Sequence, residues 1–382
     1  MASVYKRTWP GQDGRERVRW IAAYKDQHGQ RHNKGFRAKK EARAFLVLTE
    51  SEIVRGIHTP ESGSITVAEA AQLWLKRGEL ERLERSSLRQ YRNHVDLHIV
   101  PLIGAVKLAR LSPPVVQTFR DKLLETRSRV LARKILASLK SIIGEAMRRG
   151  LAAQNTAQPV AIDSKKREQG KLVVGVDVPS KEEISLLLDR AQGRWRPFFV
   201  TAVYTGMRAS ELRGLSWDAV DFERKVIHVR QRADAWGAIG DPKSAAGDRV
   251  IPMTPGVFNV LREWRHACPK GPFGLVFPNG NGRIESHANI ASRGFAPLQR
   301  ALGLVDEQNR PRYGLHSLRH FFASWAIEQG FTPKRLQALL GHSSIQMTFD
   351  VYGHLFAYME DSHARFAAGE AAMPVAGKGA AA

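Results

Sequence analysis

Helix punctuation constrains this chain more than any other feature of its sequence. Three phrases, Thr66-Val-Ala-Glu69, Ser87-Leu-Arg-Gln90 and Ser180-Lys-Glu-Glu183, place a hydroxyl three residues ahead of Glu or Gln, just before an apolar periodic run. In such a capping box each side chain bonds the other's backbone N–H at a helix start. The runs that follow put Ala70, Leu73 and Trp74, then Tyr91, Val95 and Ile99, then Ile184, Leu187 and Leu188 on one helical face each. Stops are as plain. Gly150 ends a helix from Val130 to Arg149, Gly206 one from Arg196 to Thr205, and Gly341 one from Pro333 to Leu340. Pro101 and Gly104 read as breaks and Ser112-Pro113 as a restart. Thr254-Pro255 and His316–Gln329 add further helices.

Alternating segments are few. Val18, Trp20, Ala22 and Tyr24 alternate with more polar neighbours, Asp26–Gly29 supplies a turn, and Gln30 to Phe36 returns with Arg31, His32 and Lys34. A helix from Ala38 to Arg55 follows, with Ala42, Phe45, Leu46 and Ile53 on one side. A two- or three-stranded sheet over one helix, basic on its strands, is either a DNA-groove ribbon or simply a basic sheet. Val226 to Gln231 and Arg249 to Pro252 read as strands around a loop that holds Lys243. The expectation is a mostly α fold with small β-sheets in three parts: 1–60, a helical 64–163, and a mixed α/β 177–366. Pro60–Ser64 is a linker, Ser164–Gly170 a basic hinge, and 367–382 an Ala/Gly-rich tail expected to be disordered.

Charge narrows the partner. The net charge is +22, and Lys and Arg outnumber Asp and Glu in each of the three parts. That distribution suits a long polyanion touched by several modules. Arg85, Arg89, Arg92, Arg129, Arg133 and Lys134 recur on the polar faces of successive helices, with Arg127 and Lys140, and are read as phosphate contacts. The single cysteine, Cys268, excludes an intrachain disulfide and is read as passive. No apolar run approaches a membrane span and the N-terminus lacks a signal core, so a cytoplasmic protein without a membrane partner is expected.

Chemistry concentrates near the end of the chain. His316, Arg319 and His320 share a helical face at i, i+3 and i+4. His342 follows the helix stop at Gly341, Arg208 follows that at Gly206, and Glu211 lies one turn on, placed to hold a guanidinium. Tyr352 comes soon after. A phenol of pKa near 10 is a poor nucleophile at neutral pH, and neighbouring cations ease its ionisation while seating a phosphodiester. A metal site on His316, His320 and His342 is the rival reading, disfavoured by the charge of Arg319.

In order, Thr205-Gly-Met-Arg208-Ala-Ser-Glu-Leu212, a lysine between strands, His316-x-x-Arg319-His320, Leu340-Gly-His342 and Tyr352 resemble the tyrosine recombinases, the phage-integrase family, over about 177–360. The resemblance implies an arm-type DNA-binding domain at 1–60, a helical SAM-like core-binding domain at 64–163 and the catalytic domain at 177–366. It implies Arg208 and Arg319 as phosphate clamps, Lys243 as general acid, His316 and His342 as catalytic support, Glu211 and His320 as supporting groups, and Tyr352 as nucleophile. Ser317 stands where the family often has Asp; serine too can cap a helix. The implied reaction breaks and rejoins DNA through a 3′-phosphotyrosyl link and so integrates or excises a phage or other mobile element, with no cofactor or metal. Its partners would be double-stranded attachment sites and a homotetramer using the segment Tyr358–Phe366 for exchange, served by a host DNA-bending protein and an excisionase. Two alternatives stay open: a type IB topoisomerase-like nicking and resealing enzyme, and a DNA-binding regulator whose catalytic set has decayed.

Overall fold

The computed structural model describes residues 2–10, 12, 15–27, 29–61, 63–163 and 172–356. The hinge at Ser164–Gly170, the segment Tyr358–Phe366 and the tail from 367 lie outside these. The chain divides into two compact units, Met1–Lys165 and Lys166–Ala382.

The first unit holds two cores. Strands β1 (Ser3–Pro10), β2 (Glu16–Lys25) and β3 (Arg31–Phe36) form an antiparallel meander in that order. Helix α1 (Lys39–Val54) lies on one face, burying Ala42 and Leu46 against Ala22 and Tyr24, with Phe45 and Ile53 beside them. Pairing of Tyr5 with Ile21, of Ile21 with Gly35, and of Arg7 with Arg19 puts an aromatic and two arginines on the other face. The stretch after Pro60 is tied rather than loose: Glu61 pairs with Lys34 at 2.7 Å and with Arg110, and Ser64 Oγ accepts the Ala109 N–H at 2.9 Å.

Helices α2 (Val67–Leu80), α3 (Arg85–His94), α4 (Val100–Ile103), α5 (Pro113–Thr126) and α6 (Arg129–Arg148) surround the second core. Thr66 and Glu69 form the expected capping box. Ser87 and Gln90 do not, because α3 begins two residues earlier and Ser87 sits inside it. Nor does Pro101 break the chain. A π-helical turn, Val95–Ile99, carries α3 into α4, with the Val100 N–H reaching back five residues to the Val95 carbonyl. Pro101 then falls in the first turn of α4, where a missing N–H costs little. Arg85, Arg89, Arg92, Arg127, Arg129, Arg133 and Lys134 are all exposed; Arg92 pairs with Glu79, and Arg129 donates to the Asp163 carbonyl at 2.8 Å.

In the second unit α7 (Lys181–Arg190), capped by Ser180 and Glu183, leads to α8 (Trp195–Thr205) and α9 (Ala209–Gly214). Strands β4 (Val220–Asp221), β5 (Val226–Val229) and β8 (Arg249–Pro252) make an antiparallel sheet in that order. Between β5 and β8 a small hairpin, β6 (Arg232–Ala233) and β7 (Ile239–Gly240), leads into the exposed Lys243 loop. Helices α10 (Pro255–Ala267), α11 (His287–Asn289), α12 (Ala296–Ala301), α13 (Leu315–Glu328), α14 (Pro333–Leu340) and α15 (Ile345–Phe356) complete the unit. Helix α8 is buried nearly all round, as its Phe198, Phe199, Ala202 and Val203 demand. The ends of α8 and α14, both closed by a left-handed glycine, bear the site.

Candidate active site

Gly206 (φ +61°) stops α8 and turns the chain sharply into α9, so Arg208 leaves the packed faces. One oxygen of Glu211 takes the Arg208 backbone N–H at 2.9 Å and the other its Nη1 at 2.8 Å, while Nη2 donates to the Gly341 carbonyl at 3.0 Å. Glu211 is 2% exposed. Burial alone would raise its carboxyl, but the bonds and charge of Arg249, and then of Arg208, hold it below the usual carboxylate range.

Arg319 enters from α13, 3% exposed, and donates Nη1 to the Gly206 carbonyl at 2.8 Å and Nη2 to the Leu340 carbonyl at 2.7 Å. It therefore clasps the two helix ends that carry Arg208 and His342. Burial, and then the charge of Arg208, pull its guanidinium down to about 9, still protonated at neutral pH. His316 lies on the same helix at the surface, its ring edge-on to His320 with centroids 4.7 Å apart. Desolvation of its ring, and then the charges of Arg319 and Arg208, lower its pKa. Ser317 does not cap α13: Gly314 is the cap, and the Ser317 hydroxyl donates to its carbonyl at 2.6 Å.

Gly341 (φ +65°) closes α14 and sets His342 on the turn, its Nδ1 2.9 Å from Thr348 Oγ1. Burial, then Arg319, Arg208 and Arg249, push the His342 imidazole down to about 4. On α15, Tyr352 is 2% exposed, packed among Phe322, Ala326, Leu336, Leu339 and Leu340. Its hydroxyl lies 2.7 Å from Nδ1 of His320, which burial and then His316 and Arg319 hold uncharged, at about 4. An eased ionisation of the phenol is not what this arrangement gives. Burial pushes Tyr352 up to about 12, and the charge of Arg319 offsets only part of that.

A cavity of about 410 Å³ opens beside these groups, with Arg208, Arg232, Lys243, Ser210, Ser244 and Ser343 in its wall. Lys243 and Arg208 thus face one space, although Tyr352 does not line it. The charges of Arg208 and Arg319 both bear on His316 and His342, and that of Arg319 on Tyr352, so five of the six expected catalytic groups share one neighbourhood. Among the described residues no group of three or more His, Cys, Asp or Glu is placed to hold a metal ion, and the histidines stand among arginines instead.

Arg249 escapes a reading of the motifs. It is 8% exposed, and its only local signal is that strand alternation puts it on the inward face with Ile251. Thr348, fully buried under His342, gives no signal at all.

Fixed arginines beside a tyrosine, on a largely helical unit, are the equipment of an enzyme that works on phosphodiesters through a phenol. Residues 179–358 match the phage integrase family, and residues 66–124 match its N-terminal SAM-like domain. The chain belongs to that family: it is a tyrosine recombinase. A tyrosine recombinase XerC-like protein of Caldanaerobacter subterraneus subsp. tengcongensis is 25% identical over 92% of this chain and 95% of its own length. An integrase of Streptomyces ambofaciens is 26% identical over 88% and 89%. Among solved structures, the Tn1549 transposon integrase with transposon right end DNA shares the fold at TM-score 0.65 and 22% identity, covering 81% of this chain and all of that one. A lambda integrase dimer bound to a core site does so at 0.60 and 17%, covering 91% and 94%.

Proposed function

We propose that this chain is a site-specific DNA recombinase whose Tyr352 attacks a DNA phosphodiester, leaving a 3′-phosphotyrosyl link and a free 5′ hydroxyl. The observation that carries this reading is the convergence of Arg208, Arg319, His316 and His342, with Arg319 the cation whose charge reaches Tyr352. Attack takes the phosphate from one negative charge toward two, and guanidiniums already fixed by carbonyls and by Glu211 meet that charge without reorganising. Each is worth about 10²–10³ in rate. Lys243, on the cavity wall, protonates the departing 5′ oxygen. His316 and His342 donate to the phosphate oxygens as neutral imidazoles. Tyr352 turns out of its shelter to reach a phosphate in the Arg208–Lys243 cavity, and uncharged His320 offers Nδ1 to the phenol proton. A second DNA end reverses the step on the stored bond, so no nucleotide is consumed.

Residues 1–60 and 64–163 are the arm-type and core-type DNA-binding domains of this reading. The open face of the sheet and the exposed arginines of α3 and α6 supply phosphate contacts. The assembly is a tetramer on paired attachment sites, with a host DNA-bending protein and an excisionase setting direction.

The test is covalent capture. Wild-type protein with nicked duplex forms a protein–DNA adduct, and Tyr352→Phe keeps DNA binding but forms none. An adduct retained by Tyr352→Phe moves the nucleophile elsewhere, and relaxation of supercoils with no recombinant product replaces the recombinase by a topoisomerase-like enzyme.

A further inference from the structure

Arg208 is held at two points, and a second arginine stands behind both. Its Nη1 rests on Glu211 and its Nη2 on the carbonyl of Gly341. Arg249 takes Glu211 from the far side, Nη2 to one oxygen at 2.8 Å and Nη1 to the other at 3.2 Å. Its Nε donates to the Leu339 carbonyl at 2.7 Å, two residues before Gly341. Its Nη1 also reaches the Gly247 carbonyl at 3.0 Å, next to β8. A methyl group on Gly341 would stand 2.9 Å from Arg249 Nη1, so the turn itself is packed on this guanidinium. Arg249 touches neither the cavity nor the tyrosine: it is absent from the cavity wall.

We infer that Arg249 is a positioning residue for strand cleavage, acting through Arg208 by fixing both the carboxylate and the turn that aim it. Two arginines on one carboxylate do different work here. The buried one keeps Glu211 ionised and its plane fixed, so the half-exposed one can be oriented by it and still present its remaining N–H groups to the cavity. Lysine in place of Arg249 restores the charge but not the fork, since one ammonium cannot span both carboxylate oxygens and two carbonyls.

The inference rests on the recombinase reading of this site, and the test separates the two. The substrate is nicked duplex that wild-type protein captures covalently from a random-sequence pool; failure of any capture overturns that reading and the role of Arg249 with it. With capture in hand, Arg249→Gln slows adduct formation at saturating DNA by about 10²-fold, while half-saturation moves by less than about threefold. Arg249→Lys stays at least about tenfold slow. Because a lone buried carboxylate could spoil folding, the pair Glu211→Gln/Arg249→Gln is measured as well. It removes both charges, melts near wild type and is slow too. In an Arg208→Ala background, Arg249→Gln adds less than about a threefold further loss, because the group it positions is gone. Wild-type cleavage by the paired variant, or a full multiplicative loss in the Arg208→Ala background, overturns the role.

Discussion

The hydroxyl of Tyr352 is 2.7 Å from Nδ1 of His320, and the tyrosine is almost wholly buried. A buried phenol that loses its partner suffers an uncompensated desolvation of about 1–3 kcal/mol. His320→Ala is therefore expected to lower stability by about that amount, and Tyr352→Phe by less, since the His320 ring keeps an edge toward the surface. The double variant should cost less than the sum of the two, with a coupling of about 1 kcal/mol. Urea unfolding of the four proteins checks this; additive losses would mean that the contact carries no energy.

Arg208→Ala is expected to lose cleavage by about 10²–10³ with only modest loss of affinity, because many other Lys and Arg contacts hold a duplex. Single-turnover adduct formation and a mobility-shift titration on the same DNA measure the two effects separately. A large affinity loss with normal cleavage at saturation would make Arg208 an anchor and not a clamp.

How much of this is legible in the sequence depends on the reach of each interaction. The starts of α2 and α7 can be read because both members of each capping box lie within four residues. Arg208 and His342 can be picked out because each follows a left-handed glycine that frees its side chain from the packed faces. Ser87-Leu-Arg-Gln90 has the same spelling as a true box, and only the preceding turn at Glu81 and Arg82, which leaves Glu84 as the cap, makes α3 start early. The path through Pro101 rests on a widened turn that no local signal marks. Arg249 is invisible to motif reading because its partners Glu211 and Leu339 lie 38 and 90 residues away. The burial of Tyr352 is equally non-local: it comes from α13, α14 and α15 closing on one another, and so the phenol shifts opposite to what its cations alone suggest.

Gly206→Ala is expected to be strongly destabilising for a single added methyl. The new carbon would stand 2.3 Å from Cδ1 of Phe322, in a backbone region that costs an L-residue about 1–2 kcal/mol before any clash. Phe322 is a buried core ring with little room to yield, so overpacking adds about 1–3 kcal/mol. Thermal unfolding should show a clear drop. By contrast, Gly29→Ala, with a similar φ but open space around it, should show only the backbone cost.

Acid sensitivity follows from His342. Its imidazole is held at about 4 when folded, against an ordinary value near 6.5 when unfolded, so the unfolded chain binds the proton first as pH falls. Its contribution is fully present above about pH 6.5, shrinks between there and about pH 4, and amounts to about 3 kcal/mol. Protonation would also place a positive charge against Arg319, Arg208 and Arg249, which is why the folded state resists it. His342→Gln, which can still bond Thr348 but cannot titrate, should make the fall in stability between pH 6.5 and 4 shallower, leaving the part due to His320, which is also held at about 4. Denaturant unfolding at a series of pH values measures the slope, and an unchanged slope in the variant would assign the acid sensitivity to other groups.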